Sequence, residues 1–380
     1  MSKLLPEPSR ISITKGRSLP TADQLARFEH LLLVLPEAPG KSVWKLLPDG
    51  AVLAEAVRRR PANGGRPLST VLPGVGQLAT SVGFIKDGST VFEKHSRLRK
   101  LATRVSETDP GTLAIVVVGF GEDDQRELQS ASVGAILSAV FRLPTSKREG
   151  SKRARLRRIR VFDAAQGLDL KRVRGEAEGN DLARWLTALP PNQLDADGYR
   201  KMAAALADRE GWRMRFLDEK ALRRRGAGAF LAVSQGNAKR DAGIIHIRYR
   251  PRKQNARPGL CLVGKGICFD TGGNNLKPFK GMLDMHEDMQ GSAVALGTLL
   301  ALSRIKFPRA VDCWLAVTEN RIGSTAYKSR DVVTASNGTT IEVIHTDAEG
   351  RMVLADTLAL ASAESPGIII DYATLTGACV

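Results

Sequence analysis

The feature that most constrains this chain is a knot of charge set in glycine-flanked apolar sequence near its C-terminal end. Lys265, Asp270 and Lys277 lie in VGKGICFDTGGNNLK, Asp347, Glu349 and Arg351 lie in HTDAEGRM, and Asp288 falls between them in MHEDM. Four carboxylates gathered with three cations repel one another unless divalent ions neutralise them, and carboxylate-rich sites suit hard or borderline ions such as Mn²⁺, Mg²⁺ or Zn²⁺. The charge suits two ions rather than one: about −4 from the carboxylates is cancelled by two divalent ions when one of the lysines binds as a neutral amine. The other lysine and Arg351 then remain as cations for an anion or for the oxyanion of a tetrahedral intermediate. Hydrolysis is the chemistry implied. IEVIHTDAEG reads as a strand, whose alternation turns Asp347 and Glu349 to one face.

The surrounding pattern alternates strands and helices. TLAIVVVGFG reads as a buried strand and SASVGAILSAVFRL as a helix. AEGNDLARWLTALP and DADGYRKMAAALADREG read as helices, the second with Asp195 or Asp197 as its cap. GIIHIRYR and GLCLVGKG read as strands, Asp288 to Leu302 as a buried helix, and VVTASNGTTIEVI as a hairpin turning at Asn337-Gly338. GIIIDYATLT reads as a further buried strand. Lys265 and Asp270 then follow a strand, Asp288 opens a helix, and Asp347 and Glu349 precede the helix MVLADTLALASA, where α/β proteins gather their sites.

Composition narrows the setting. A chain of 380 residues with 43 % hydrophobic content suggests two domains, divided near 145 to 177. The N-terminus lacks an apolar signal stretch, and LLLVLP at Leu31 to Pro36 is far too short to span a membrane. Four scattered cysteines without a CxxC pair fit a reducing cytoplasm. PGKS at Pro39 to Ser42 has Leu35 where a phosphate-binding loop needs glycine, and Gly119 and Gly121 lack the third glycine of a dinucleotide fingerprint. His286 lies in HEDMQ without a second metal-binding histidine, so it and His345 read as polar core or rim groups, and Cys268 reads as a small buried residue. No GxSxG is present. The net charge of +17 is concentrated between Arg142 and Arg174, where twelve Lys/Arg face three Asp/Glu. That stretch reads as a solvated linker, with DNA contact through Lys147 to Arg160 as the alternative. The absence of aromatics in KREGSKRARLRRIR argues against base stacking.

VGKGICFDTGG, the following Lys277, the DM of MHEDM, TDAEGR and YATLTGA resemble, in order and spacing, the leucyl aminopeptidase (M17 cytosol aminopeptidase) family; the resemblance is strong from Ala177 to Val380 and faint before. It implies an α/β fold: a smaller macro-domain-like N-terminal α/β domain over 1–145, a basic linker over 146–176, and a catalytic domain with a mixed central sheet over 177–380. It further implies a metal-dependent aminopeptidase that removes N-terminal amino acids from peptides through a hydroxide bridging two divalent metals, Mn²⁺ or Zn²⁺. Asp270 and Glu349 would be shared between the ions, Lys265 and Asp288 would complete one site, and Asp347 the more exchangeable one. Lys277 would polarise the scissile carbonyl, Arg351 would hold a bicarbonate that relays a proton, and Met285, Thr374, Leu375 and Gly377 would contact substrate. The physical basis is general: water bridging two divalent ions about 3.5–4 Å apart loses a proton near neutrality. A homo-hexamer is implied as well. In the family YATLTGA is followed by further helices and strands, so the chain is expected to lack the C-terminal part of the catalytic domain and to leave its sheet under-covered. Departures are His345 for the usual Asn, Thr271 for Ser, His286 at a basic position, and Asn274 and Asn275 where small or apolar residues are usual. None replaces a ligand, though such neighbours tune metal and substrate preference. Two other classes stand beside the enzyme: a DNA-binding protein on this fold, and an inactive scaffold subunit, which has no physical need for four repelling carboxylates.

Overall fold

The computed structural model describes residues 5–59, 66–147, 154–251 and 257–377. The chain divides into two compact units, one from Pro8 to Ala177 and one beginning at Glu178.

The first unit is built on six strands: β1 (Ser12–Lys15), β2 (His30–Pro36), β3 (Leu68–Leu72), β4 (Leu78–Ile85), β5 (Thr112–Val117) and β6 (Arg158–Val161), in the order β1-β6-β5-β2-β4-β3. Neighbours are parallel except β3, which runs antiparallel to β4. After His30, β2 is continuously apolar because both faces are covered. Leu32 and Val34 enter one core with Ile115 and Val117, while Leu31, Leu33 and Leu35 enter the opposite core with Ala114 and Val116. The strand expected in TLAIVVVGFG is β5, and the helix expected in SASVGAILSAVFRL is the second half of Glu122–Val140. Part of the segment expected as a linker is regular structure: β6 pairs on both sides, and the helix Leu170–Thr187 starts within it. Ile159 and Val161 are buried while Arg158 stays exposed, so alternation lets a basic run serve as a strand.

The second unit holds β7 (Arg213–Asp218), β8 (Gly243–Tyr249), β9 (Leu260–Asp270), β10 (Val311–Asn320), the hairpin β11 (Val332–Thr334) and β12 (Thr340–Glu342), and β13 (Ile369–Tyr372). The sheet order is β13-β9-β10-β8-β7, with β13, β9 and β10 parallel and β8 and β7 antiparallel. The helix Gln290–Arg304 covers one face, packing Leu296 and Leu299 with Leu262 and Leu315. The helix Glu349–Ala363 covers the other, packing Val353 and Ala361 with Val263 and Ala316. Asp195 is the cap of Ala196–Glu210, accepting the Gly198 N–H at 2.9 Å, and Gly338 makes the hairpin turn with φ +85°. β13, expected to be buried, lies at the edge of the described sheet with Ile370 42 % exposed, because it pairs with β9 on one side only.

One irregularity positions the site. β9 and β10 change register between Thr318 and Asn320, so that Thr318 faces Ile267 while Asn320 faces Asp270. Three steps of β9 span two of β10, a bulge that reverses the faces taken by the side chains beyond it.

Candidate metal centre

The charged motifs meet at the C-terminal ends of β9 and β10. Lys265 lies inside β9 rather than after it, and β9 runs on to Asp270. The Lys265 Nζ donates to Asp288 Oδ1 at 2.8 Å and to the Thr374 carbonyl at 2.6 Å, and stands 2.9 Å from Glu349 Oε1. Lys277, on the glycine loop after β9, stands 3.0 Å from Asp270 Oδ2 and 2.5 Å from Asp347 Oδ1. Oxygens of Asp270, Asp347 and Glu349 all lie within 4.8 Å of one another. Lys265 and Asp270 are an odd number of residues apart, which a regular strand sends to opposite faces. The bulge between them restores a common side, so both reach Glu349.

Asp347 and Glu349 are not on a strand, contrary to expectation. β12 stops at Glu342, Thr346–Ala348 is a single 3₁₀ turn, and Glu349 opens the next helix. The turn is tied to the glycine loop instead of to a sheet neighbour: Asn275 Oδ1 accepts the Thr346 N–H at 2.8 Å, and the Asn275 N–H donates to Thr346 Oγ1 at 2.8 Å. Glu349 thereby sits at the electropositive start of a helix. Gly350 is needed beside it, since a Cβ there would stand 2.8 Å from Lys265 Cε.

Burial dominates the electrostatics. It raises the Glu349 carboxyl to about 7, with Lys265 opposing and Asp270 and Asp288 adding repulsion. Burial likewise lifts Asp288 to about 6 against the pull of Lys265, and raises Asp347 against Lys277. For the lysines burial disfavours charge, yet Glu349 and Asp288 hold the Lys265 ammonium above its ordinary value, and Asp347 and Asp270 do so for Lys277. Glu349 Oε2 is buried with no hydrogen-bond partner among the described residues. Two ammoniums facing four carboxylates leave a shortage of positive charge, and a cluster of converging carboxylate oxygens fits a divalent cation.

The other expected residues are arranged around this cluster. Thr374 Oγ1 donates to Asp288 Oδ1 at 2.5 Å, and Met285 is half-buried in the 3₁₀ turn Met285–Glu287 that leads into Asp288. Leu375 is 42 % exposed and packs towards Gly350, and Gly377 is exposed. Arg351 is exposed on the first turn of its helix and makes no ion pair among the described residues. His286 is half-buried and His345 exposed, its Nδ1 accepting the Asp347 N–H at 3.2 Å; Cys268 is buried in the core on the Gln290–Arg304 face. Residues 148–153 of the basic run fall outside the described residues, while Arg155 stands 3.4 Å from Glu29 and Arg158 lies over the Phe28 ring. Asn320, Thr346 and Tyr327 carry no charge to mark them in the sequence, yet they are buried beside the carboxylates. The available signal was a polar residue closing the apolar run of β10, WLAVTEN.

The family defined as cytosol aminopeptidase, catalytic domain, matches residues 181–380. A probable cytosol aminopeptidase of Chlorobaculum tepidum is 33 % identical over 353 residues, covering 88 % of this chain and 68 % of that protein. The chain belongs to the M17 cytosol aminopeptidase family. A second relative, the probable cytosol aminopeptidase of Stutzerimonas stutzeri, is 42 % identical over 241 residues, 61 % of this chain but 48 % of the relative. The chain thus spans about half the length of that relative. Among M17 structures, leucyl aminopeptidase from Leishmania major in complex with actinonin superimposes with a TM-score of 0.80 at 25 % identity, covering 98 % of this chain and 73 % of that one. The α/β fold with two mixed sheets therefore follows this M17 architecture over nearly its whole length. The family uses divalent metals, and Asp270, Asp347 and Glu349 form an acidic group able to hold one. No helix among the described residues is long and apolar enough to cross a membrane.

Proposed function

We propose that this chain is a metal-dependent aminopeptidase, acting on peptides in the cytoplasm. The observation that carries the reading is the convergence of Asp270, Asp347 and Glu349, with Asp288 joined to them through Lys265. Two divalent ions would be held by Asp270 and Glu349 in common, with Lys265 and Asp288 for one and Asp347 for the other. When bound, divalent ions supply Lewis-acid chemistry, acidifying water and polarising a carbonyl.

The remaining work falls to this chain's own groups. The acidic cluster draws the free α-amino group of a peptide, which limits cleavage to the first residue. Lys277, less deeply buried than Lys265, turns from its carboxylate partners to donate to the carbonyl oxygen as negative charge develops there. Arg351, free of ion pairs among the described residues, is suited to holding a bicarbonate that takes up a proton. Met285, Thr374, Leu375 and Gly377 lie on the segments that border the carboxylates and serve as the substrate wall. The deciding experiment is hydrolysis of aminoacyl arylamides by the chelated protein with and without added Mn²⁺. Metal-restored release of the first residue supports the reading; equal rates in both samples overturn it.

A further inference from the structure

Asn320 ends β10 and is fully buried, 0 % exposed. The bulge sets it opposite Asp270. Its Nδ2 donates to Asp270 Oδ1 at 2.8 Å and to the Thr346 carbonyl at 3.1 Å. An ionised carboxylate and a carbonyl only accept, so the amide must turn its NH₂ to them; the flipped orientation would set its oxygen against two others. Its Oδ1 packs against Gly273, which has φ +65° and where a Cβ would stand 3.1 Å from that oxygen. The same Thr346 carbonyl accepts the Tyr327 hydroxyl at 2.6 Å, and the same Asp270 oxygen accepts the Gly272 N–H at 2.8 Å.

These bonds join two separate pieces of chain. Asp270 closes β9, while Thr346 immediately precedes Asp347 and lies three residues before Glu349. The three carboxylates repel one another; Lys277 also joins the two segments, its ammonium reaching Asp270 and Asp347, whereas Asn320 joins them as a neutral, fully buried amide. By engaging Oδ1, Asn320 also leaves Asp270 Oδ2 turned to Lys277. We propose that Asn320 is a positioning residue, holding Asp270 and the turn that carries Asp347 and Glu349 at the spacing a divalent ion requires. Tyr327 supports it from the far side of the Thr346 carbonyl. The inference rests on the metallopeptidase reading above.

The test compares wild type, Asn320→Ala and Tyr327→Phe, each chelated and then titrated with Mn²⁺ alone by calorimetry, with thermal melting of the metal-free proteins and kcat and KM at saturating Mn²⁺ alongside. In folded Asn320→Ala the Mn²⁺ Kd should rise about 10–100-fold, as for other partners that orient metal ligands. The kcat should fall by more than KM changes. Tyr327→Phe keeps its buried ring and should weaken Mn²⁺ binding in the same direction by a smaller factor, because Asn320 still donates to that carbonyl. A role in folding alone would lower the metal-free melting temperature and leave the Mn²⁺ Kd of the folded protein unchanged, which overturns the proposal. Should Asn320→Ala not fold, Tyr327→Phe decides: an unchanged Kd overturns the clamp. Wild type that binds no Mn²⁺ defeats the metallopeptidase reading as a whole, whereas wild-type binding with unaltered variants defeats this inference alone.

Discussion

Lowering the pH from 6.5 to 5 tests how far burial governs His30, the first residue of β2 and 2 % exposed. Its Nδ1 and Nε2 lie 3.0 Å from Thr108 Oγ1 and Ser81 Oγ. Thr108 spends its only hydroxyl proton on the Val105 carbonyl at 2.8 Å, so it accepts from Nδ1–H and leaves Nε2 as the acceptor for Ser81. A neutral ring therefore satisfies every partner, and burial lowers the pKa from 6.5 to about 4. Because the folded value lies below the unfolded one, the unfolded chain binds more protons between them. The stability is fully present above the unfolded pKa and is lost as pH falls towards the folded one. At 1.36 kcal/mol per pH unit the loss between pH 6.5 and 5 is about 2 kcal/mol. Hydrogen exchange of β2 and β4 peptides, corrected for intrinsic rates, reads this unit by itself. Wild type should lose about 2 kcal/mol more protection than His30→Gln over that interval, since carboxylates elsewhere shift both proteins alike. Equal pH dependence in the two proteins would refute the reasoning.

Three further outcomes are expected. Lys277→Ala should retain Mn²⁺ binding and lose turnover on the order of 10²–10³-fold in arylamide hydrolysis, because an oxyanion donor is removed and no carboxylate is. Asp270→Ala and Glu349→Ala should lower both metal content, measured by elemental analysis, and activity; near-normal metal content in either would show that it does not bridge ions. Neutralising Arg155, Arg157 and Arg158 should leave hydrolysis unchanged, and contact with duplex DNA through Lys147 to Arg160 would appear as an affinity that falls steeply with salt and less steeply in that variant.

Much of this molecule was legible because its elements obey local rules. The doubly covered β5 shows as an unbroken apolar run, the β11–β12 hairpin shows as Asn337-Gly338, and Asp195 shows as a cap. The carboxylates and lysines announced themselves by chemistry: such charge in apolar sequence requires partners. What stayed hidden depends on contacts between distant segments. IEVIHTDAEG has strand-like composition, yet Asn275 and Tyr327 draw Thr346 into a turn, and propensity carries no record of either bond. The exposure of β13 follows from its place at the sheet edge, which a run of three isoleucines cannot reveal. Asn320 was silent because a single asparagine at a strand end ordinarily reads as the start of a loop.

The bulge in β9 makes the number of residues between Lys265 and Asp270 matter more than their identity. Cys268 and Phe269 each accept substitution on ordinary packing terms, but removing either would straighten the strand. Asp270 would then stand four residues from Lys265, an even spacing that keeps both on one face and Asp270 opposite Asn320, so that only the local kink is lost. Deleting two residues would leave a spacing of three, an odd count that turns the carboxylate towards the core beneath Gln290–Arg304 and away from Asn320, Lys277 and Glu349, with every other motif letter intact. For this stretch, a count that comes out two short predicts a dead site more surely than several changed letters.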